Sequence, residues 1–365
     1  MGWMNMGYMA LMFVVCACFV SSFVFHFSLP GVPTYLKNEE DLGNSIVKTV
    51  SRAAPAPANV SLGDLQGRPL FVFGDSTVDA GNFNITKLPY GVDYHTLGPR
   101  FSNGLTIADY LALKIQTAIP QAFNSMGKEE LKKNVNVNFA SAGCGLLAKT
   151  HPMGPIPCTS FGDQVMQFLT STSKNERSVF FISVGANDYV FSFDRKNSTQ
   201  FAEEVLSKLE IYLKVLYSFG GARIFIVNNL APVGCIPDKR NSTTNRCDEV
   251  LNKGVNAFNR HLEQTLWNFK KERNAAVFLA DSHLMYAQIR NDPTEFGFTE
   301  IYKPCCGIWN ANLRMFACGE NTTYCHPRTG LLFFDGAHTT DQANNLFVKR
   351  CFAGRLCYPI RAPTV

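Results

Sequence analysis

A chain of 365 residues, 46% of them hydrophobic, holds enough material for one large α/β domain or two small ones, and its many phenylalanines suit a well-packed core. The formal net charge is only +5, and Lys and Arg are scattered rather than clustered, which leaves little electrostatic basis for a nucleic-acid partner.

Residues 1–28 read as a secretory signal peptide or, if uncleaved, as a signal anchor that would hold the chain at a membrane. From Tyr8 to Phe25 nearly every residue is apolar, with no polar face for an ordinary core helix. No Lys or Arg precedes Lys37, so the usual basic start is missing, and Val20-Ser21-Ser22 is the cleavage candidate. Residues 29–66 are polar and broken by Pro, with Ala54-Pro55-Ala56-Pro57-Ala58 in the middle, and read as a linker or pro-segment. The folded domain is expected over residues 67–358.

That domain opens on Leu70-Phe71-Val72-Phe73, an apolar run expected to be a buried strand, and Gly74 then permits a sharp turn. Ser76 follows just past the strand's carboxyl end, where open α/β sheets place their ligand crevices; capping a following helix is its bland alternative. A loop rich in Gly, Pro and Tyr ends in Gly98-Pro99-Arg100-Phe101-Ser102-Asn103-Gly104, before Ile107, Tyr110, Leu111 and Ile115 recur at helical spacing. Val135, Val137 and Phe139 alternate as a strand and run into the turn Ala140-Ser141-Ala142-Gly143-Cys144-Gly145. A short helix around Val165–Leu169 leads to a strand over Ser178–Val184 and then to Gly185-Ala186-Asn187-Asp188. Phe201, Val205, Leu209 and Leu213 mark a helix before the strand Ile224–Val227; Phe258, Leu262, Leu266 and Phe269 mark another before Ala276–Leu279. Five strand–helix alternations imply a mainly parallel sheet with right-handed crossovers. All turns at the strands' carboxyl ends then share one rim, so Gly-Asp-Ser, Ala-Ser-Ala-Gly and Gly-Ala-Asn-Asp gather there. Near the carboxyl end, Asp335-Gly336-Ala337-His338 places a carboxylate three residues from an imidazole, a spacing that lets the acid hold one ring nitrogen and leave the other free as a base.

Cys16 and Cys18 lie in the leader, which leaves an even ten cysteines for an oxidising compartment to pair. Cys144 with Cys158, Cys235 with Cys247, and Cys351 with Cys357 are the local pairs; Cys305, Cys306, Cys318 and Cys325 admit three connectivities. Zinc is the rival explanation, but no spacing here resembles paired C-x-x-C with His partners. Sequons at Asn59, Asn84, Asn197, Asn241 and Asn321 agree with a secreted, glycosylated chain.

Over residues 68–355 the chain resembles the plant-type branch of the GDSL esterase/lipase family, within the SGNH hydrolases. Its blocks occur in order: Phe73-Gly74-Asp75-Ser76-Thr77-Val78-Asp79-Ala80-Gly81-Asn82, Asn138-Phe139-Ala140-Ser141-Ala142-Gly143, Gly185-Ala186-Asn187-Asp188 and Asp335-Gly336-Ala337-His338. Asn229-Leu230-Ala231-Pro232-Val233-Gly234-Cys235 is similar to a further stretch of the plant branch. The resemblance implies a three-layer α/β/α sandwich, flavodoxin-like, with a mainly parallel five-stranded sheet. It implies Ser76 as nucleophile, His338 as base and Asp335 as its orienter. The oxyanion hole would comprise the Ser76 amide, the amide of Ala142 or Gly143, and the Asn187 side chain, although Asn187 also suits a left-handed turn. It implies no metal or organic cofactor, a small-molecule or lipid ester substrate, and a monomer. Three positions depart from the family pattern: Thr77 replaces Leu, Ala142 replaces a frequent Gly, and Thr339 stands where Pro is usual and is expected to loosen the His338 loop. Ester hydrolysis is the leading function. Acyl transfer to an alcohol on the same fold, or a secreted binding protein without turnover, are the alternatives.

Overall fold

The computed structural model describes residues 60–83, 88–94, 100–133, 136–150, 158–241, 243–310 and 315–363. The leader, most of the 29–66 segment, and the sequons at Asn59 and Asn84 lie outside the described residues. In chain order the first half comprises β1 (Leu70–Gly74), α1 (Ile107–Lys114), β2 (Gln121–Ala122), α2 (Lys128–Leu131), β3 (Val137–Asn138), α3 (Phe161–Ser171), β4 (Val179–Ser183) and α4 (Ser198–Gly220). The second half comprises β5 (Ile224–Asn228), α5 (Glu249–Arg273), β6 (Ala276–Ala280), α6 (Ser282–Asn291), β7 (Glu300–Pro304), β8 (Ile308–Asn310), β9 (Met315–Ala317), β10 (Leu331–Phe333), α7 (Asp341–Phe352) and β11 (Cys357–Pro359).

The main sheet runs β11-β6-β5-β4-β1-β3-β2. Its core is parallel, with Phe73 beside Ile182 and Gly74 beside Ser183, and only β11 is antiparallel, against β6. The five expected strands thus form its centre, and β2 and β11 add short edges. Side chains alternate across the sheet, and each set has its own helical layer. Phe71, Phe180 and Phe225 pack aromatically on one side, where Phe71 lies 4.9 Å from the Phe168 ring of α3 and Phe225 lies 5.3 Å from the Phe269 ring of α5. Leu70, Val72, Phe181 and Ile226 join a second core cluster that includes Leu111 of α1, Ile289 of α6 and Phe347 of α7. Helices on both faces of a mainly parallel sheet make a three-layer α/β/α sandwich.

The long helices start and stop where the local chemistry dictates. Asn197 accepts the Gln200 N–H at the start of α4, and Asp248 accepts the Leu251 N–H at the start of α5. Left-handed residues, Gly221 and Asn274, end them. The folded unit begins earlier than residue 67: Leu65 is fully buried and Val60 and Leu62 pack on the same cluster, so residues 60–66 belong to the domain rather than to a linker.

All three local cysteine pairs are present as disulfides. Between β7 and β10 the quartet resolves as Cys305–Cys325 and Cys306–Cys318, closing an excursion that carries the β8–β9 hairpin. β10 pairs with β7 in a separate two-stranded sheet, and the chain then enters the Asp335–His338 loop.

Candidate active site

β1 has β4 on one side and β3 on the other, so connections leave it in opposite directions and open a crevice at the strands' carboxyl ends. Ser76 stands at that crevice. Gly74, at φ +152°, is required just before it, because a Cβ there would run into the Ser183 carbonyl of the neighbouring strand. Among the described residues Ser76 sits in a turn and no helix begins there, so it caps none of the described helices. Its hydroxyl lies 2.8 Å from His338 Nε2.

His338 reaches Ser76 from the other end of the chain. Its Nδ1 lies 2.7 Å from Asp335 Oδ2 and 2.9 Å from Oδ1, while Asp335 Oδ1 also accepts the Ala337 and His338 backbone N–H groups. The two residues meet across a hydrogen-bonded bend rather than a helical turn. A Cβ on Gly336, at the tip of that bend, would run into the Asp238 carboxylate. Thr339 is tied into the loop: its hydroxyl donates to Asn344 Oδ1, and the Phe334 N–H returns to the His338 carbonyl.

Burial alone would raise the Asp335 pKa, but His338 and the hydrogen bonds of His338, Tyr90 and Ala337 outweigh it and hold the carboxyl below its ordinary value. Burial pulls the His338 imidazole down, yet Asp335, with smaller contributions from Asp75 and Asp238, carries it above its ordinary value. Burial pushes the Asp75 and Asp238 carboxyls each up to about 6. Thr77, in the family's Leu position, donates both its N–H and its hydroxyl to Asp75.

The second and third blocks lie beside the nucleophile loop, and their backbone donors are not equally free. The Ala142 N–H is taken by Asp79 Oδ2 at 2.9 Å, so Ala142 is not a free donor. Among the described residues no protein acceptor takes the N–H of Gly143 or of Ser76. Asn187 is right-handed (φ −65°, ψ −32°), which removes the left-handed-turn reason for an Asn there. One of its two amide hydrogens goes to the Cys144 carbonyl at 3.0 Å, and Asn187 faces the same cavity as Ser76.

Three supporting groups were not singled out by the linear reading. Tyr90 donates its hydroxyl to Asp335 Oδ2 at 2.6 Å from 245 residues away, on a ring packed against Phe101 and Phe334. Asp79 accepts from Gly81, Asn82 and Phe83 as well as Ala142; its local turn was legible from the Asp-x-Gly-Asn spacing, its reach to Ala142 was not. Asp188 binds Leu146 N–H, Leu147 N–H and the Thr150 hydroxyl, fastening the loop after Cys144. The sequon residues Asn197, Asn241 and Asn321 are all exposed. A cavity of about 180 Å³ is lined by Ser76, Asn187 and His338 together with Leu230, Val233, Met285, Ile289 and Phe347.

The arrangement can deliver a hydroxyl, a base and hydrogen-bond donors to one carbonyl group. Residues 70–351 match the family described as GDSL-like Lipase/Acylhydrolase. The chain is similar to two GDSL esterase/lipases of Arabidopsis thaliana. One is 32% identical, covering 87% of this chain and 91% of the relative, and the other is 31% identical, covering 84% and 90%. Among solved structures it is similar to a lipolytic G-D-S-L family protein from Veillonella parvula, at 12% identity, a TM-score of 0.39, and coverage of 79% of this chain and 97% of the other. The chain belongs to the GDSL-like lipase/acylhydrolase family and is a carboxylic-ester hydrolase.

Proposed function

We propose that the protein is a secreted, monomeric serine esterase/lipase that works through an acyl-enzyme on Ser76. The observation that carries this reading is the continuous set of contacts from Asp335 through His338 Nδ1 and Nε2 to the Ser76 hydroxyl. His338 Nε2 takes the Ser76 proton as Oγ attacks the ester carbonyl, and Asp335 keeps the ring oriented and stabilises the imidazolium that forms. The ester C–O bond then breaks, and the proton passes from His338 to the departing alcohol. Water attacks the acyl-enzyme, gives its proton to His338, and releases the carboxylic acid as the proton returns to Ser76 Oγ. The negative charge that develops on the carbonyl oxygen is received by the Ser76 and Gly143 N–H groups and by the second amide hydrogen of Asn187.

Export through the secretory pathway is supported by the apolar stretch Tyr8–Phe25, by the ten cysteines outside the leader all being paired, and by three exposed sequons. No helix among the described residues is long and apolar enough to cross a membrane. The test is hydrolysis of a short-chain p-nitrophenyl ester. Ser76→Ala should remain folded and lose turnover, and near-normal turnover in that variant would reject the reading.

A further inference from the structure

We propose that the cavity lined by Ser76 is the pocket for the acyl chain, and that it selects a linear aliphatic chain of about six to eight carbons. This rests on the reading of Ser76 as the acylated residue. Besides Ser76 and His338, the cavity is lined by Leu230 and Val233, by Met285 and Ile289 of α6 and by Phe347 of α7. Ser76 and His338 can handle a carbonyl there, and these other five side chains are apolar and buried.

The polar side chains on its wall already have partners. Ser282 donates to Asn228, Asn228 donates to Ser183, and the Tyr286 hydroxyl accepts from Arg240. Asn229 donates to Asp281, and Asn344 donates to the Leu105 carbonyl. The described buried polar atoms that lack a partner belong to Ser178, Tyr189, Ser218, Arg273 and Arg350, none of which lines the cavity. A polar occupant would compete with these bonds for partners, whereas an alkyl chain asks for none. An apolar cavity of ~150 Å³ takes up benzene, so about 180 Å³ suits a medium chain and is far more than an acetyl group fills. Where α7 meets the cavity, Phe347 is large and Ala343 small, so the room depends on the bulk missing at Ala343.

The experiment compares kcat/KM for p-nitrophenyl acetate, butanoate, octanoate and hexadecanoate with the full-length protein and with Ala343→Phe. In the wild type, kcat/KM should climb about two- to fourfold per added methylene up to octanoate, from burial of each CH₂, and fall again at hexadecanoate. Ala343→Phe should lower the octanoate-to-acetate ratio at least tenfold. If that variant does not fold, Ala343→Leu should shift the ratio in the same direction, and octanoic acid should inhibit the wild type more strongly than butanoic acid. A wild-type profile that is flat or favours acetate, or a folded Ala343→Phe with an unchanged ratio, overturns the acyl pocket alone. Absence of hydrolysis of every ester, with no fluorophosphonate labelling of Ser76, would instead reject the acyl-enzyme reading on which it rests.

Discussion

His338 sits between a carboxylate that holds it and a hydroxyl that it can deprotonate, and both relations set its response to pH. Because the imidazole is carried above its ordinary value, it is protonated at a higher pH than a free histidine, and imidazolium cannot accept the Ser76 proton. The acid limb of kcat/KM should therefore lie above pH ~6.5; a profile flat down to pH ~5 would remove His338 from the role of base. In the proposed mechanism Asn187 contributes at a different moment. Asn187→Ala should lower kcat by roughly 10²–10³, about 3–4 kcal/mol, with KM little changed, because its hydrogen bond matters most once the oxyanion forms. Asn187→Gly should be equally slow, since the residue is already right-handed and a freer backbone restores nothing. Recovery of activity in the Gly variant would show that backbone conformation, not the amide, is what the position supplies. Ser76, Asp335, His338 and Asn187 were legible because each lies in a short block with its own composition. Tyr90 was not, since its partner is 245 residues away and nothing local marks the contact.

At the scale of elements, the central strands were readable because a strand buried on both faces is an uninterrupted apolar run. β2 and β11 were not, being two and three residues long and defined only by the neighbour they pair with. The short disulfide loops were likewise plain, whereas the Cys305–Cys325 region required the path of the chain between β7 and β10. What joins the elements at the site is the buried carboxylate of Asp79, which fastens the loop after β1 to the turn after β3. Asp79→Ala would strand the buried Asn82 and Ala142 donors and the half-buried Gly81 and Phe83 donors, and leaving a buried donor unsatisfied costs about 1–3 kcal/mol. Part of that is recovered by water, so the urea midpoint should fall by the equivalent of at least about 3 kcal/mol. A drop below about 1 kcal/mol would mean that the two loops are held by something else.

For the molecule as a whole, activity and stability should respond to pH in opposite senses. Asp75 and Asp238, raised to about 6 from 3.8, bind protons more tightly folded than unfolded, so their contribution is complete below the unfolded value and lost as pH rises through about 6. His338 has the same sign, its contribution being lost as pH rises through its raised folded value. Asp335 acts the other way, but only as pH falls below its ordinary 3.8. The urea midpoint should therefore be higher at pH ~5 than at pH ~8, across the interval in which hydrolysis appears; a midpoint that rises with pH there would contradict this balance. The claim on which the mechanism depends is that Ser76 is the group acylated. Mass-spectrometric mapping of the full-length protein after reaction with a fluorophosphonate tests it most directly. The expected result is one adduct, on the peptide containing Ser76, abolished in Ser76→Ala and slowed at low pH with the His338 titration. An adduct on another residue, or labelling that persists in a folded Ser76→Ala protein, would contradict it.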